Sequence, residues 1–209
     1  MRKNWAALAL TGMLCLTTFA GTQTVSAETA DSAKQVDIVF THDTHSHLNT
    51  FTTIVDEAEK EVGGFARINT LIQEQKAKNP DTLVIDGGDF SMGTLIQTVF
   101  ETQAAEIRML GYMGCDVTTL GNHEFDYRSK GLANMLNSAA ESGDDLPAMV
   151  VCNVDWESME AAGLSEGQQL IRDAFDEYGV SDYVVLEKGD TDIACLLYTS
   201  PSPRDSTSS

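Results

Sequence analysis

The strongest constraint on this chain is a repeated alternation: a short run of β-branched and apolar residues, then a polar cluster, then a segment with helical spacing. Val36–Thr41, Thr82–Asp86, Val117–Leu120 and Ala148–Val151 read as strands. Between the first two, Gly64–Lys78 places Phe65, Ile68, Leu71 and Ile72 on one helix face, and Asn79-Pro80 ends it. Leu95–Met113 reads as a helix with Ile96, Val99, Phe100, Ile107 and Leu110 inward, and Ser129–Ser142 as another. A longer polar helical stretch runs from Glu157 to Tyr178, and Tyr183–Leu186 and Asp192–Ala194 read as two further strands. Such alternation predicts βαβ units, so an α/β fold with a largely parallel sheet. In open α/β sheets functional residues gather at the carboxyl ends of the strands. The polar clusters that follow strands are therefore where chemistry is expected.

Three clusters meet that condition. Asp43-Thr44-His45 follows the first strand, Asp86-Gly87-Gly88-Asp89 the second, and Gly121-Asn122-His123-Glu124-Phe125-Asp126 the third. Three strand ends of one parallel sheet can bring Asp43, His45, Asp89, Asn122 and His123 to one rim. Carboxylate, imidazole and amide donors together suit zinc, manganese, iron or cobalt better than an all-oxygen calcium cage. A carboxylate can bridge two cations, and a cation pair can clamp a phosphate. The glycines at 87, 88 and 121 permit tight turns and close approach of backbone to ligand. Each piece alone is weak: Asp89 could equally cap the helix near Leu95, and Asn122 could be a turn residue.

Asp-x-His, then Gly-Asp, then Gly-Asn-His-Glu resembles the signature of the calcineurin-like metallophosphoesterases. Ile38–Leu48, Gly63–Arg67, Asp86–Gly93 and Thr119–Tyr127 are similar to the secreted 5'-nucleotidase branch of that family. His42 stands where relatives commonly carry Asn, and Ser46 where they commonly carry Gly. The resemblance implies a four-layer α/β sandwich with two divalent metal ions. It implies Asp43 and His45 as ligands of the first metal, Asp89 as the bridging carboxylate, and Asn122 as a ligand of the second that also touches substrate phosphate. It implies His123 as the residue that assists the leaving oxygen, with Asp126 orienting it. Glu124 is expected to support its turn, His42 and His47 to serve the loop, and Arg67 to tie the helix to the site loop. The implied reaction is hydrolysis of a small phosphate ester, a nucleoside 5'-monophosphate first. The alternatives are a 2',3'-cyclic-nucleotide phosphodiesterase/3'-nucleotidase or a nucleotide-sugar hydrolase. The family pattern also includes later histidine ligands and a nucleoside-binding C-terminal domain, whereas the histidines here are His42, His45, His47 and His123. The expectation is a domain incomplete at its C-terminus, inert as these 209 residues alone.

Both ends read differently from the middle. Arg2 and Lys3, an apolar run from Trp5 to Ala20 and Val25-Ser26-Ala27 have the pattern of a signal peptide over residues 1–27. Residues 28–35 read as a flexible lead-in, so the expected location is secreted or extracytoplasmic, with cell-surface attachment left open. No later stretch is long and apolar enough to span a bilayer. Removing residues 1–27 leaves 11 Lys+Arg against 32 Asp+Glu, a net charge of −21. Such a surface repels nucleic-acid polymers and anionic membranes. Cys195–Asp205 followed by Ser-Thr-Ser-Ser reads as a translated sequencing adapter, which places the end of the native domain, begun at 36, at 194. Cys115 and Cys152 lie beside apolar runs and read as buried free thiols rather than a pair.

Overall fold

In the computed structural model, which describes residues 35–196, the alternation resolves into a parallel sheet with helices on one face. The strands are β1 (Ile38–Thr41), β4 (Leu83–Asp86), β5 (Val117–Thr118) and β6 (Ala148–Met149), in the order β1-β4-β5-β6, with every pairing parallel. Helix α1 (Phe65–Lys78) connects β1 to β4. Helices α2 (Phe100–Gln103) and α3 (Ala105–Tyr112) lie between β4 and β5, and α4 (Arg128–Ala140) between β5 and β6. Helices α5 (Trp156–Ala162) and α6 (Glu166–Tyr178) follow β6. The α/β class and parallel sheet agree with the sequence expectation. The expected signal peptide, nearly all of the lead-in and the tail beyond residue 196 lie outside the described residues. No helix among those described is long and apolar enough to cross a membrane.

β4 is covered on both faces, and its neighbours follow from side-chain alternation. Val84 joins the large core with Phe65, Ile72, Phe90, Phe100, Ile107, Leu110 and the α4 residues Leu132, Met135 and Leu136. On the opposite face Leu83 packs with Val117, Val150 and Cys195, against Val184, Leu186 and Ile193. Those last residues belong to an antiparallel hairpin of β7 (Val184–Lys188) and β8 (Thr191–Cys195). Lys188 Nζ, 2.8 Å from Asp116 Oδ1, pins the hairpin to the start of β5. β8 reaches one residue past the boundary at 194. Cys115 and Cys152 are both free, the first buried and the second half-buried.

Three local features differ from the periodicity reading. A second hairpin, β2 (Phe51–Val55) and β3 (Ala58–Val62), stands between β1 and α1. Its turn places Asp56 and Glu57 at positive φ, a geometry normally signalled by Asn-Gly, and the polar Ala58–Val62 run hides the second strand. The stretch expected as one helix over Leu95–Met113 is a 3₁₀ turn (Leu95–Val99), then α2 and α3, broken at Ala104 with φ 47°. Phe100 and Ile107 are seven residues apart and would share a face of an unbroken helix, so spacing conceals the break. The stretch from Glu157 to Tyr178 is two helices separated at Gly163, whose φ of 87° suits glycine. Ser165 and Gln168 then form a capping box that starts α6.

At the end of β4, Asp86 is fully buried. Its oxygens accept from Thr41 Oγ1 (2.7 Å), Gly88 N (3.0 Å) and Thr118 Oγ1 (3.2 Å), tying β1, β4 and β5 together just below the rim. Burial pushes its carboxyl up from 3.8 to about 6 against those bonds. A raised acid is best accommodated protonated. Its contribution to stability is full below about pH 3.8 and is lost as pH rises through about 6. Asp86→Asn keeps the hydrogen-bonding shape without the charge. Between pH 4 and pH 7 the stability difference should move in favour of the variant by up to about 3 kcal/mol, measured by denaturant unfolding with chelator present. A difference that does not change with pH would contradict this account of Asp86.

Candidate metal centre

The three motif loops leave the same edge of the sheet. The loop after β1 lies along the loop after β4 through Asp43 N to Gly88 O (3.0 Å), His45 N to Asp89 O (3.1 Å) and Ser46 N to Phe90 O (2.8 Å). The backbone is tightly turned there: Asp43, His45, Ser46 and Asp89 all have φ between 45° and 54°. His45 and Ser46 are the central residues of a turn closed by His47 N to Thr44 O at 2.9 Å. Left-handed conformations cost non-glycine residues roughly 1–2 kcal/mol each, so their surroundings must hold them.

The third loop is fastened to the second by one carboxylate. Glu124 is fully buried in the 3₁₀ turn His123–Tyr127. Its Oε2 accepts from Asp89 N (3.0 Å) and Gly121 N (2.7 Å), and its Oε1 from Ser91 N (2.9 Å) and Ser91 Oγ (2.7 Å). Burial lifts its pKa, but the carboxylate form is the one whose two oxygens accept all four donors. Gly121 runs so close to Asp89 that an added Cβ would sit 2.1 Å from Asp89 Oδ1. That oxygen also accepts the His123 N–H at 2.9 Å.

At the rim, His45, Asp89 and His123 each offer a donor atom within 4.8 Å of the others, and the two rings meet edge to face at 5.1 Å. The environment fits a cation. His45 Nδ1 lies 3.2 Å from the Ser91 carbonyl, and His123 Nδ1 lies 2.8 Å from Asp126 Oδ2. With Nδ1 of each ring engaged by an oxygen, Nε2 is the free nitrogen of each imidazole; for His45 this is the usual outer-shell arrangement of a metal-binding histidine. His45 Nε2 also lies 3.5 Å from Asp43 Oδ1. Asp43 stands at the edge of this group, and the hydrogen bond from His42 Nδ1 holds its carboxyl below the usual range.

The remaining sequence candidates are placed as follows. Asn122 is the residue before the 3₁₀ turn, where its carbonyl accepts from Phe125 N at 3.2 Å. The Asp126 hydrogen bond raises the His123 pKa. His47 bonds through Nδ1 to Thr44 O (3.2 Å) and packs its ring on Phe51. Arg67 binds Glu61 of β3, joining α1 to the β2–β3 hairpin. Sequence reasoning passed over Ser91, and also Glu106, which on spacing alone is one more acidic residue of an amphipathic helix.

The pattern of the calcineurin-like phosphoesterases matches residues 36–203. A 5'-nucleotidase-related protein of Glossina morsitans morsitans is 30% identical over 187 residues, 86% of this chain and 32% of that protein. The 5'-nucleotidase of Mus musculus is 36% identical over 110 residues, 51% of this chain and 19% of its own length. Among solved structures, the 5'-nucleotidase precursor of Thermus thermophilus superposes with a TM-score of 0.61 at 26% identity, covering 79% of this chain and 29% of that one. The chain thus spans about a fifth to a third of the length of these relatives.

The Glu124 clamp yields a direct test. In Glu124→Gln, either amide orientation turns an NH₂ group toward backbone N–H donors of the Asp89, Ser91 and Gly121 loops. The variant should lose about 2–4 kcal/mol of stability in denaturant unfolding, since each buried polar group left unpaired costs about 1–3 kcal/mol. Unchanged stability would show that the loops are held by something else.

Proposed function

Because the chain belongs to the calcineurin-like phosphoesterase family, we propose that it forms the metal-holding part of a hydrolase that releases phosphate from nucleoside 5'-monophosphates. The observation that carries this reading is the convergence of His45, Asp89 and His123 at one rim, each imidazole with its Nδ1 already engaged. The family uses divalent cations, and carboxylate, imidazole and amide donors together suit the zinc, manganese, iron and cobalt group. In this proposal there are two such ions. Asp43 and His45 hold the first, Asp89 is shared, and Asn122 serves the second and the substrate phosphate. When bound, they supply Lewis-acid polarisation of a phosphoryl oxygen and neutralise its charge.

The protein's own part is to position and to move a proton. Asp126 accepts from His123 Nδ1 and favours the imidazolium, so Nε2 can donate to the leaving alkoxide oxygen, where negative charge develops. The choice of nucleotide rests on relatives described as 5'-nucleotidases, those of mouse and human among them. Charge supports a small ester over a polymer. The acidic surface repels polyanions at long range, while a local cation pair can still capture one phosphate. We place the protein outside the cytoplasm, on the signal-like residues 1–27.

The roles separate in the full-length protein. Asp89→Asn should nearly abolish phosphate release from AMP, because one carboxylate serves both cations. His123→Asn should keep its metal content by elemental analysis and lower the rate by roughly 10²–10⁴, the scale of lost acid–base assistance. Loss of metal from His123→Asn would instead make His123 a ligand and remove it from the proton-transfer role.

A further inference from the structure

Beneath the β1 loop sits a third buried carboxylate, besides Asp86 and Glu124, that no proposed chemical step uses. Glu106, on α3, is fully buried, and its Oε1 accepts from Ser46 Oγ at 2.7 Å. Ser46 is itself fully buried and carries φ 54°, next to His45 at φ 45°. Each polar group of Ser46 has a partner. Its N–H donates to Phe90 O (2.8 Å), its carbonyl accepts from Thr94 Oγ1 (2.6 Å), and its hydroxyl donates to Glu106. Among these, the Glu106 bond is the one that reaches out of the loops into a helix of the core. Burial, and after it the Glu106 carboxylate, push up the phenol of Tyr127, the last residue of the turn that begins at His123. Oε2 of Glu106 and the hydroxyl of Tyr127 are both buried, with no partner among the described residues.

We propose that Glu106 is a positioning residue of the metal centre: by accepting the Ser46 hydroxyl it holds the left-handed turn that aims His45 at the cation. The physical case is a balance. Two consecutive non-glycine residues in the left-handed region are unfavourable, so the turn would relax if its anchor were removed. The anchor is a side-chain bond within a dry interior, where such bonds are strong and where a lost partner is costly. Relaxation at Ser46 would turn the neighbouring His45 away from Asp89 and from the Ser91 carbonyl. The proposal rests on the reading of His45 as a metal ligand, so its test includes a variant that probes that reading alone.

The experiment is Mn²⁺ titration of the full-length protein, with thermal unfolding of each variant recorded in chelator. Glu106→Leu fills the space and removes the acceptor. Glu106→Gln keeps a hydrogen bond to Ser46 in either amide orientation, because the hydroxyl can donate or accept. Glu106→Leu should weaken Mn²⁺ binding about 10–100-fold, the scale of lost outer-shell support, and Glu106→Gln should bind within about threefold of wild type. If Glu106→Leu does not fold, Ser46→Ala removes the same bond and should show the same loss. Wild-type affinity in whichever of these two variants folds overturns the proposal, as does a Glu106→Gln variant as impaired as Glu106→Leu. His45→Ala separates the two claims: if it binds Mn²⁺ like wild type, the ligand reading fails first and the Glu106 proposal falls with it.

Discussion

The site depends on buried carboxylates that contact no substrate. Glu124 gathers four donors from the loops after β4 and β5, and Asp86, just below the rim, joins three strand ends. Removed from water, such groups are costly unless every lone pair is used. The cost of leaving them unpaired makes the loops settle in one arrangement. The rim is therefore organised from underneath: backbone N–H groups are taken up by Glu124, and the side chains of Asp89 and His123 are left to face outward.

The same logic explains why strain concentrates here. Asp43, His45, Ser46 and Asp89 all occupy left-handed backbone conformations within one small region. Loops that must bring donors from three strands within a few ångströms cannot also follow relaxed geometry. Backbone rungs between Asp43 and Gly88, His45 and Asp89, and Ser46 and Phe90 hold them. Gly121 supplies the close approach that a side chain at that position would forbid. Asp126 and the Ser91 carbonyl then fix which nitrogen of each imidazole faces the centre.

Much of this was legible in the sequence, and what was hidden has a common cause. The four parallel strands and the placing of motifs at their ends follow from apolar runs followed by polar clusters, a local signal. The supports were not legible. Glu124 could be assigned to its turn, but its reach to Asp89 and Ser91 crosses more than thirty residues. Glu106 meets Ser46 across sixty residues. The β2–β3 hairpin was hidden by an Asp-Glu turn and a polar strand, and the break at Ala104 by a residue that favours helix. Gly163 and the Ser165–Gln168 box were a readable stop and start within the stretch taken as one helix. Local chemistry shows through periodicity and motif; partnerships between distant buried polar groups do not.

The central claim is that His45, Asp89 and His123 converge to serve a divalent cation at the carboxyl ends of β1, β4 and β5. The most direct measurement is anomalous diffraction at the zinc edge from crystals of the full-length protein grown with zinc. The expected result is a strong peak about 2.1 Å from His45 Nε2 and from a carboxylate oxygen of Asp89, with His123 facing it. Well-ordered loops with no anomalous peak between those residues, or with bound zinc held by a different cluster, would contradict it.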